Sequence, residues 1–511
     1  MKTSTVAWHD LKSRLARIYD FHLAAGLLIW DQQTNMPPGG VPARAEALAT
    51  LSTVAHEHLV ADETRRLLDM IGDAFDETTE DAALVRLARR DYERATKLPV
   101  RLVADFSRAT TLAEPAWVAA RARSDWAGFA PHLERILTLQ QEAAEYIGYT
   151  THPYDALLDT FEPGATKIEL EAVFDELKAP LISLVSRIND AQSNAVDEKR
   201  DAPLYGDFDE AKQEAFGREI AERFGYDFRR GRQDRAVHPF CISFGNGDVR
   251  ITTRFDREWL SPALFGTLHE AGHALYEQGI DSKYARTPAG SGCSMGVHES
   301  QSRLWENIVG RSLPFWQFFY PRLQAAFPEH FSGIELEQFY RAINTVERTP
   351  IRVEADEVTY NLHVLVRFEI EVALFENRLK VADLPAAWNE KMRDYLGITP
   401  ASDAEGALQD IHWANGSFAY FPTYTVGNVL AVQLFDTALA AHPSITDEIT
   451  NGEFGTLHGW LAENIYRHGK RYDPATLIKR ATGKPLSTAP YLRYLHHKFG
   501  ELYDLKVTSD K

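Results

Sequence analysis

Cysteine is scarce in this chain, and long apolar runs are missing from it. Only two of its 511 residues are cysteines, Cys241 and Cys293, which excludes a disulfide framework. No stretch approaches the roughly 20 apolar residues that cross a bilayer. The N-terminal segment also lacks the apolar core of a signal peptide. We therefore expect a cytoplasmic protein with no membrane partner.

Positive charge is also in short supply. Lysine and arginine number 55 against 73 aspartates and glutamates, so the formal net charge is -18. The acidic excess is spread along the chain rather than concentrated in a tail. Such a surface repels phosphate groups, so the sequence predicts no nucleic-acid partner and no anionic membrane partner.

Internal repeats and low-complexity linkers are absent from the sequence, and helical periodicity dominates it. One β signal stands out, because residues 237–244 and 248–255 flank Gly245-Asn246-Gly247 and predict a hairpin. We predict a mainly α fold with a small β-sheet, built as a single catalytic domain over residues 1–511. Residues up to about 235 form a helical half, and residues from about 236 form the half that bears a metal site.

That site begins with His-Glu-Ala-Gly-His at residues 269–273, within a predicted helix. Ser261 as N-cap and Gly279 as a left-handed stop predict the helix ends. His269 and His273 are four residues apart and share one face, so they can bind one divalent metal, usually zinc. Glu270 points away from the pair, where it can act as a general base on a water that the metal activates. The buried face of the helix is predicted to comprise Leu264, Leu268, Ala271 and Leu275.

A third candidate ligand, Glu299, follows in His298-Glu299-Ser300-Gln301. It lies early in a helix predicted from about His298 to Gly310, after a glycine-rich loop. Its other possible role is to favour the helix N-terminus as an acidic residue. A chance grouping of two histidines and a glutamate on a core helix is the alternative for the whole motif.

Five short motifs, taken together, resemble the carboxypeptidase Taq family of metallocarboxypeptidases. The resemblance runs from Trp30-Asp31-Gln32 nearly to the C-terminus, and one departure is Ala419, where the family pattern suggests glycine. The motifs are Asp-Val-Arg-Ile-Thr at 248–252, the histidine motif at 269–273, His-Glu-Ser-Gln at 298–301, Ile-Arg-Val-Glu-Ala-Asp at 351–356, and Gly-Ala-Leu-Gln-Asp-Ile-His-Trp at 406–413.

The resemblance implies a large helical domain with a deep substrate groove, similar to neurolysin and angiotensin-converting enzyme, with residues 1–235 lining the groove. It implies an enzyme that removes single amino acids from peptide C-termini with broad preference. It also implies one divalent metal ion per chain, most often zinc with cobalt as the alternative, and a homodimer. The alternatives are an oligoendopeptidase or dipeptidyl carboxypeptidase of the same fold, or a non-enzymatic peptide-binding protein with a structural metal.

The resemblance also implies roles for individual residues. His269, His273 and Glu299 are the expected metal ligands, and Glu270 is the expected general base. His412, Tyr420 and Tyr424 are candidate hydrogen-bond donors to the oxyanion, with aromatic core packing as their alternative.

Two arginines are candidates for binding the substrate's terminal carboxylate, because a guanidinium can donate two parallel hydrogen bonds. They are Arg250, on the second hairpin strand, and Arg352, in a long helix predicted after Thr349-Pro350. Arg352 has an alternative role as an ion-pair partner of Glu354, Asp356 or Glu357. His238, on the first hairpin strand, is a further candidate for binding substrate.

Overall fold

Helices make up most of the protein in the computed structural model, which describes residues 2–193 and 200–505. Within these residues the chain first forms nine α-helices: α1 Lys2–Thr34, α2 Val41–Val60, α3 Asp62–Ile71, α4 Glu80–Lys97, α5 Val100–Arg123, α6 Trp126–Ile147, α7 Pro153–Leu158, α8 Lys167–Ser193 and α9 Glu210–Phe224. Three short strands follow in the described part of the chain: β1 Gln233–Arg235, β2 Cys241–Ser243 and β3 Val249–Thr253. The remaining α-helices are α10 Leu260–Gly279, α11 Met295–Arg303, α12 Leu313–Ala326, α13 Pro328–Phe331, α14 Leu336–Ile343, α15 Tyr360–Phe375, α16 Leu384–Leu396, α17 Pro422–Ala441, α18 Ile445–Thr450, α19 Gly455–Asn464, α20 Pro474–Thr482 and α21 Thr488–Leu502. The predicted mainly α fold with a small sheet is confirmed, and none of the described helices has the length and apolarity that a bilayer crossing requires.

The described residues form two compact units, and each unit draws on three separated segments of the chain. The first unit takes described residues of Met1–Thr96, Asp201–Ile343 and Leu434–Pro485. The second takes described residues of Lys97–Arg200, Asn344–Gln433 and Leu486–Lys511. The single catalytic domain over residues 1–511 stays a prediction, and residues 1, 194–199 and 506–511 of it lie outside the described part.

Helix α10 lies in the interior of the first unit. It packs against α9, α11 and the strands β2 and β3. A small residue on α9 permits one of these contacts, because a Cβ on Gly217 would lie only 3.3 Å from the Thr267 side chain. The buried face predicted for α10 is confirmed for Leu264, Leu268, Ala271 and Leu275.

Both predicted ends of α10 are wrong. The helix begins at Leu260, with Trp259 rather than Ser261 at the N-cap position and no side-chain cap. Gly279 is the last helical residue, and it does not adopt a left-handed conformation. The need for glycine at position 279 is steric instead, because a Cβ there would lie 2.6 Å from Tyr466 Cβ. The spacing of residues within one helix does not predict a contact with a residue so distant in sequence.

The sheet has the strand order β1-β3-β2. Strands β2 and β3 pair antiparallel, so the predicted hairpin is confirmed, although its strands are shorter than expected. Strand β1 pairs parallel to β3 and was not predicted. Its sequence, Gln-Asp-Arg, lacks the apolar alternation by which a strand is recognised, so only the pairing with β3 defines it.

Helix α15 runs through the interior of the second unit, and every residue except Glu369 is buried. Its His363, Arg367 and Glu371 recur at every fourth position and therefore form one polar stripe. Buried polar groups need hydrogen-bond partners. For Arg367 and Glu371, residues 409–419 supply several of those partners.

The prediction that Arg352 lies in a long helix is wrong. Arg352 begins a short 3₁₀ turn, Arg352–Glu354, and α15 starts only at Tyr360. The Asp356 side chain accepts hydrogen bonds from the backbone N–H groups of Val358 and Thr359. Such local bonds compete with helix formation and break the segment in two.

Gly272 should be the least replaceable glycine of α10. A Cβ there would lie 2.5 Å from the Gln301 carbonyl oxygen and 2.7 Å from Ser302 Cα, so Gly272→Ala pushes two backbones apart. We expect its free energy of unfolding to fall by about 1–3 kcal/mol in urea denaturation. The control is Gly266→Ala on the same helix, where the nearest atom is 3.4 Å away. This control should be neutral or up to about 1 kcal/mol more stable, and equal destabilisation of both variants would contradict the prediction.

Candidate active site

Three candidate metal ligands converge in the first unit. His269 and His273 come from α10 and Glu299 from α11, and their ligand atoms all lie within 4.8 Å of one another. The Nε2 atoms of His269 and His273 are 3.7 and 3.5 Å from Glu299 Oε2. Two imidazoles and one carboxylate form a donor set that zinc sites commonly use.

The other ring nitrogen of each histidine has its own partner. His269 Nδ1 is 2.8 Å from Glu306 Oε2. His273 Nδ1 is 2.6 Å from His298 Nδ1 and 3.1 Å from the His298 carbonyl oxygen. His298 Nε2 in turn is 3.0 Å from Glu277 Oε1. Such partners fix the orientation of a ligating imidazole, so both Nε2 atoms are held toward Glu299.

Glu299 is held as firmly as the histidines. Arg303 Nε donates to its Oε1 at 2.7 Å, and the Ser302 hydroxyl donates to its Oε2 at 3.0 Å. A π-helical turn, Leu304–Val309, follows α11 and carries Glu306. Arg303 also donates to Glu306 at 3.3 Å, so a single guanidinium holds both carboxylates.

The helix that carries Glu299 begins earlier than predicted. Its first residue is Met295 rather than about His298, and Gly296 is helical instead of part of a loop. The Ser294 hydroxyl caps it by accepting the Val297 backbone N–H at 3.1 Å. Glu299 therefore lies beyond the first turn, where an acidic residue no longer stabilises the helix N-terminus effectively.

The charges around the three ligands fit a divalent cation. Burial lowers the pKa of His269, but the nearby carboxylates of Glu299 and Glu306 more than offset this effect and raise it to about 9. Burial raises the pKa of Glu299, but Arg303 and the histidines outweigh it and hold that pKa well below its ordinary value. These shifts reflect the attraction between the protonated imidazole of His269 and the two carboxylates, and a metal ion bound by the three ligands would take the place of that proton.

Glu270 lies beside the ligands without belonging to the converging group. It is buried, with 6% of its surface exposed. Burial is the main cause that raises the pKa of Glu270 to about 7, against the opposing charge of His269. A carboxyl group with a pKa near neutrality can both accept and release a proton, as a general base must.

The residues that hold these ligands are not predicted from the sequence; they are Glu277, His298, Arg303 and Glu306. One signal was available for Glu277, which follows His273 by four residues and so shares its face of α10. No comparable signal existed for Glu306, because the π-helical turn changes the helical period between it and Glu299.

In the second unit, Arg352 is buried and paired with Asp410. Its Nη2 and Nε donate to Asp410 Oδ1 at 2.8 and 3.2 Å, and its Nη1 donates to the Tyr360 hydroxyl at 2.8 Å. The alternative that assigned Glu354, Asp356 or Glu357 as its ion-pair partner is therefore wrong. The true partner comes from a distant motif, at residues 406–413.

Asp410 is shared between two arginines. Arg367 Nε donates to its Oδ2 at 2.7 Å, while the terminal nitrogens of Arg367 donate to the His363 carbonyl oxygen and to Gln409. Burial raises the pKa of Asp410, but Arg352 and Arg367 outweigh it and hold that pKa far below its ordinary value. Two guanidinium groups against one carboxylate leave a net positive charge in this buried cluster.

His412, Tyr420 and Tyr424 lie together in the second unit. His412 Nε2 is 3.3 Å from the Tyr424 hydroxyl. The ring centroid of Tyr420 is 5.4 Å from that of His412 and 5.4 Å from that of Tyr424. Burial is the main cause that lowers the pKa of His412 to about 4, so its imidazole is neutral.

Arg250 and His238 have more exposed positions, in the first unit. Both oxygens of Asp248 accept hydrogen bonds from Arg250, each at 2.8 Å. The Arg250 guanidinium also lies 4.3 Å from the Trp30 ring centroid. His238 is exposed and lies in the loop between β1 and β2 rather than on a strand. The Nε and Nη2 edge of the Arg250 guanidinium is thus paired with the carboxylate of Asp248.

Comparisons with known proteins agree in pointing to one family. The carboxypeptidase Taq (M32) metallopeptidase profile matches residues 10–499. Carboxypeptidase 1 of Bacillus subtilis is 42% identical over 490 residues, which cover 96% of this chain and 97% of that protein. Thermostable carboxypeptidase 1 of Thermus thermophilus is 43% identical over 490 residues, with 93% and 95% covered. The crystal structure of the M32 carboxypeptidase from Deinococcus radiodurans matches with a TM-score of 0.94 and 42% identity, over 98% of this chain and 100% of that chain.

Removing the Asp410 charge should destabilise the protein strongly. Asp410→Asn leaves two buried guanidiniums without their counter-ion, so we expect the free energy of unfolding at neutral pH to fall by about 3–5 kcal/mol. Because the folded-state pKa of Asp410 lies below the ordinary value of 3.8, the wild type has this stabilisation above that pH and loses it as the pH falls further.

The control for this prediction is Asp248→Asn. Asp248 also pairs with an arginine, but its side chain is 42% exposed. A solvent-exposed pair contributes at most about 1 kcal/mol. Urea denaturation of both variants at pH 7 checks the prediction, and a loss at Asp410 no larger than at Asp248 would refute it.

Proposed function

The chain belongs to the carboxypeptidase Taq (M32) family and is a metallocarboxypeptidase, and from this premise we propose that His269, His273 and Glu299 hold its divalent metal ion while Glu270 is the general base. The observation that carries this assignment is the convergence of three ligand atoms within 4.8 Å, next to a buried carboxyl group. A purely structural metal site would use four protein ligands and would need no such base.

A bound divalent metal would supply Lewis-acid activation of water at neutral pH. Glu270 takes a proton from the attacking water and passes it to the nitrogen of the leaving amino acid. The peptide C–N bond breaks, and the water oxygen remains on the carbonyl carbon of the shortened peptide. Glu306 and His298 keep the two imidazoles oriented throughout.

We propose zinc as the metal, with cobalt as the alternative. Imidazole nitrogens and a carboxylate oxygen suit both ions, and zinc is the usual occupant of a site with two histidines and one glutamate. The homodimer and the cytoplasmic location stay predictions from the sequence.

His412, Tyr420 and Tyr424 are proposed donors to the oxyanion that develops on the substrate carbonyl. The neutral imidazole of His412 and the two hydroxyl groups are hydrogen-bond donors that carry no positive charge of their own. These three side chains are half-buried, and donors fixed in such a setting stabilise a developing negative charge more than donors in water do. Their mutual contacts support a shared role.

For the substrate's terminal carboxylate we propose Arg352 rather than Arg250. The Arg352 cluster carries a net positive charge and is buried, so an anion gains much by binding there. Arg250, in contrast, is paired one to one with Asp248, so that pair carries no net charge. His238 stays a prediction as a substrate-binding residue. The alternative of an oligoendopeptidase is not favoured, because the relatives are named as carboxypeptidases.

Glu270→Gln should abolish turnover and leave metal binding intact. The amide has the shape of the carboxylate but cannot take up a proton, so we expect kcat to fall by about 10²–10⁴-fold. Metal content, measured by elemental analysis after gel filtration, should equal that of the wild type. His273→Ala should instead lose the metal.

The matched control is Glu258→Gln, which changes an exposed glutamate just ahead of α10. It should alter neither kcat nor metal content. Full metal content in His273→Ala would remove that residue from the ligand set. Substantial kcat in metal-loaded Glu270→Gln would mean that another group is the base.

Arg352→Lys should selectively impair peptides that end in a free carboxylate. Lysine keeps the charge beside Asp410 but cannot donate two parallel hydrogen bonds. We expect kcat/KM for a free-acid peptide to fall by about 10- to 100-fold, since such a contact contributes about 1.5–3 kcal/mol. The same peptide with an amidated C-terminus should be a poor substrate in both proteins.

Arg250→Lys serves as the comparison and should leave the preference for free-acid peptides unchanged. A selective loss in Arg250→Lys alone would reverse the assignment. If the wild type cleaves the acid and the amide equally well, the terminal carboxylate is not recognised and an endopeptidase becomes the better description.

A further inference from the structure

Glu371 is a fully buried carboxylate at the centre of the second unit. Its Oε1 accepts the Trp413 indole N–H at 2.8 Å, and its Oε2 accepts the Ala419 backbone N–H at 2.9 Å and the Tyr154 hydroxyl at 2.7 Å. Within the described ranges, no cation lies at ion-pair distance from it. Burial raises the pKa of Glu371 to about 7 in spite of the three donors. Holding an ionised carboxylate at this position therefore costs free energy.

Two of these hydrogen bonds hold opposite ends of one loop. The loop runs from Trp413 to Ala419, with His412 immediately before it and Tyr420 immediately after it. The ring centroids of His412 and Tyr420 are 5.4 Å apart. The Glu371 carboxylate therefore holds Trp413 and Ala419, the chain neighbours of His412 and Tyr420.

The second attachment point has an unusual backbone. Ala419 has a φ of 66°, which lies in the left-handed region that disfavours any residue with a side chain. Its N–H donates to Glu371, and this bond helps to hold the conformation. The direction in which Tyr420 leaves the loop depends on that conformation, since a change of φ at Ala419 rotates the chain that follows.

A carboxylate suits this position better than an amide. Three donors, from Trp413, Ala419 and Tyr154, converge on the side chain of Glu371, and an ionised carboxylate offers only acceptors. A glutamine would turn its NH₂ group toward at least one donor, so at least one of the three hydrogen bonds would be lost.

We propose that Glu371 is a positioning residue for the carboxypeptidase reaction. It clamps the two ends of the loop from Trp413 to Ala419, so that His412 and Tyr420 stay in place to stabilise the oxyanion. This inference rests on the proposed function, in which His412 and Tyr420 are the donors. Glu371 itself acts only through them.

The first experiment is a double-mutant cycle on the full-length, metal-loaded enzyme. Glu371→Gln should lower kcat by about 10- to 100-fold and change KM by less than about threefold, since misplaced groups lose transition-state contacts more than substrate binding. If Glu371 acts through Tyr420 and His412, the double variant with Tyr420→Phe should lose clearly less kcat than the product of the two single losses. Multiplied losses would overturn the inference.

The Tyr420→Phe variant alone separates this inference from the proposed function. If its kcat equals that of the wild type, the donor role of Tyr420 is wrong, and the positioning role falls with it. If its kcat falls but the losses in the cycle simply multiply, the donor role stands and only the inference about Glu371 is wrong.

A second pair of variants removes single donors and leaves the carboxylate in place. Trp413→Phe cuts the bond to one loop end, whereas Tyr154→Phe cuts the bond that does not involve the loop. We expect kcat to fall at least about fivefold in the first and less than twofold in the second. This comparison decides the matter even if Glu371→Gln fails to fold, and equal effects would overturn the clamp.

Glu369→Gln is the control on the same helix. Glu369 bonds to Lys178 and Tyr395, and none of its hydrogen bonds goes to the loop from Trp413 to Ala419. Its loss should lower stability and leave kcat unchanged. A fall in kcat as large as that of Glu371→Gln would show that loss of any carboxylate on α15 has the same effect, and would refute a specific clamp.

Discussion

The close approach of α10 and α11 at Gly272 is the contact on which the candidate metal site depends. Without a side chain at Gly272, the α10 backbone reaches the carbonyl group of Gln301. Glu299, two residues earlier on α11, is thereby brought to both histidines of α10. The sequence between His269 and His273 must therefore place ligands on one face and leave room for a second backbone on another.

Buried charge characterises both groups of candidate residues. Around His269 the carboxylates of Glu299 and Glu306 raise the pKa of the imidazole, and a divalent metal would take the place of its proton. Around Asp410 two arginines share one carboxylate, and an anion such as a peptide's terminal carboxylate would balance the net positive charge. Because burial makes net charge costly, each group gains more from its ligand than an exposed group would.

Buried helix α15 shows how a polar stripe can organise distant chain segments. Arg367 and Glu371 lie one turn apart and contact Asp410 and the loop from Trp413 to Ala419, respectively. An apolar α15 would leave that loop without these attachments. The polar residues of the helix thus contribute to the placement of side chains that they do not touch.

Much of the architecture followed from the sequence alone, because it depends on local spacing. The period of the apolar residues predicted the helices, and the four-residue interval between His269 and His273 determined that they share a face. The glycine-centred turn predicted the β2–β3 hairpin for the same reason. What escaped prediction depends on contacts between residues far apart in sequence: the fit of Gly279 against Tyr466, the pairing of Arg352 with Asp410, and the bonds from Glu306 and His298 to the histidines. The periodicity of a segment carries information about that segment alone. Only the tertiary structure could therefore decide which distant side chain contacts it.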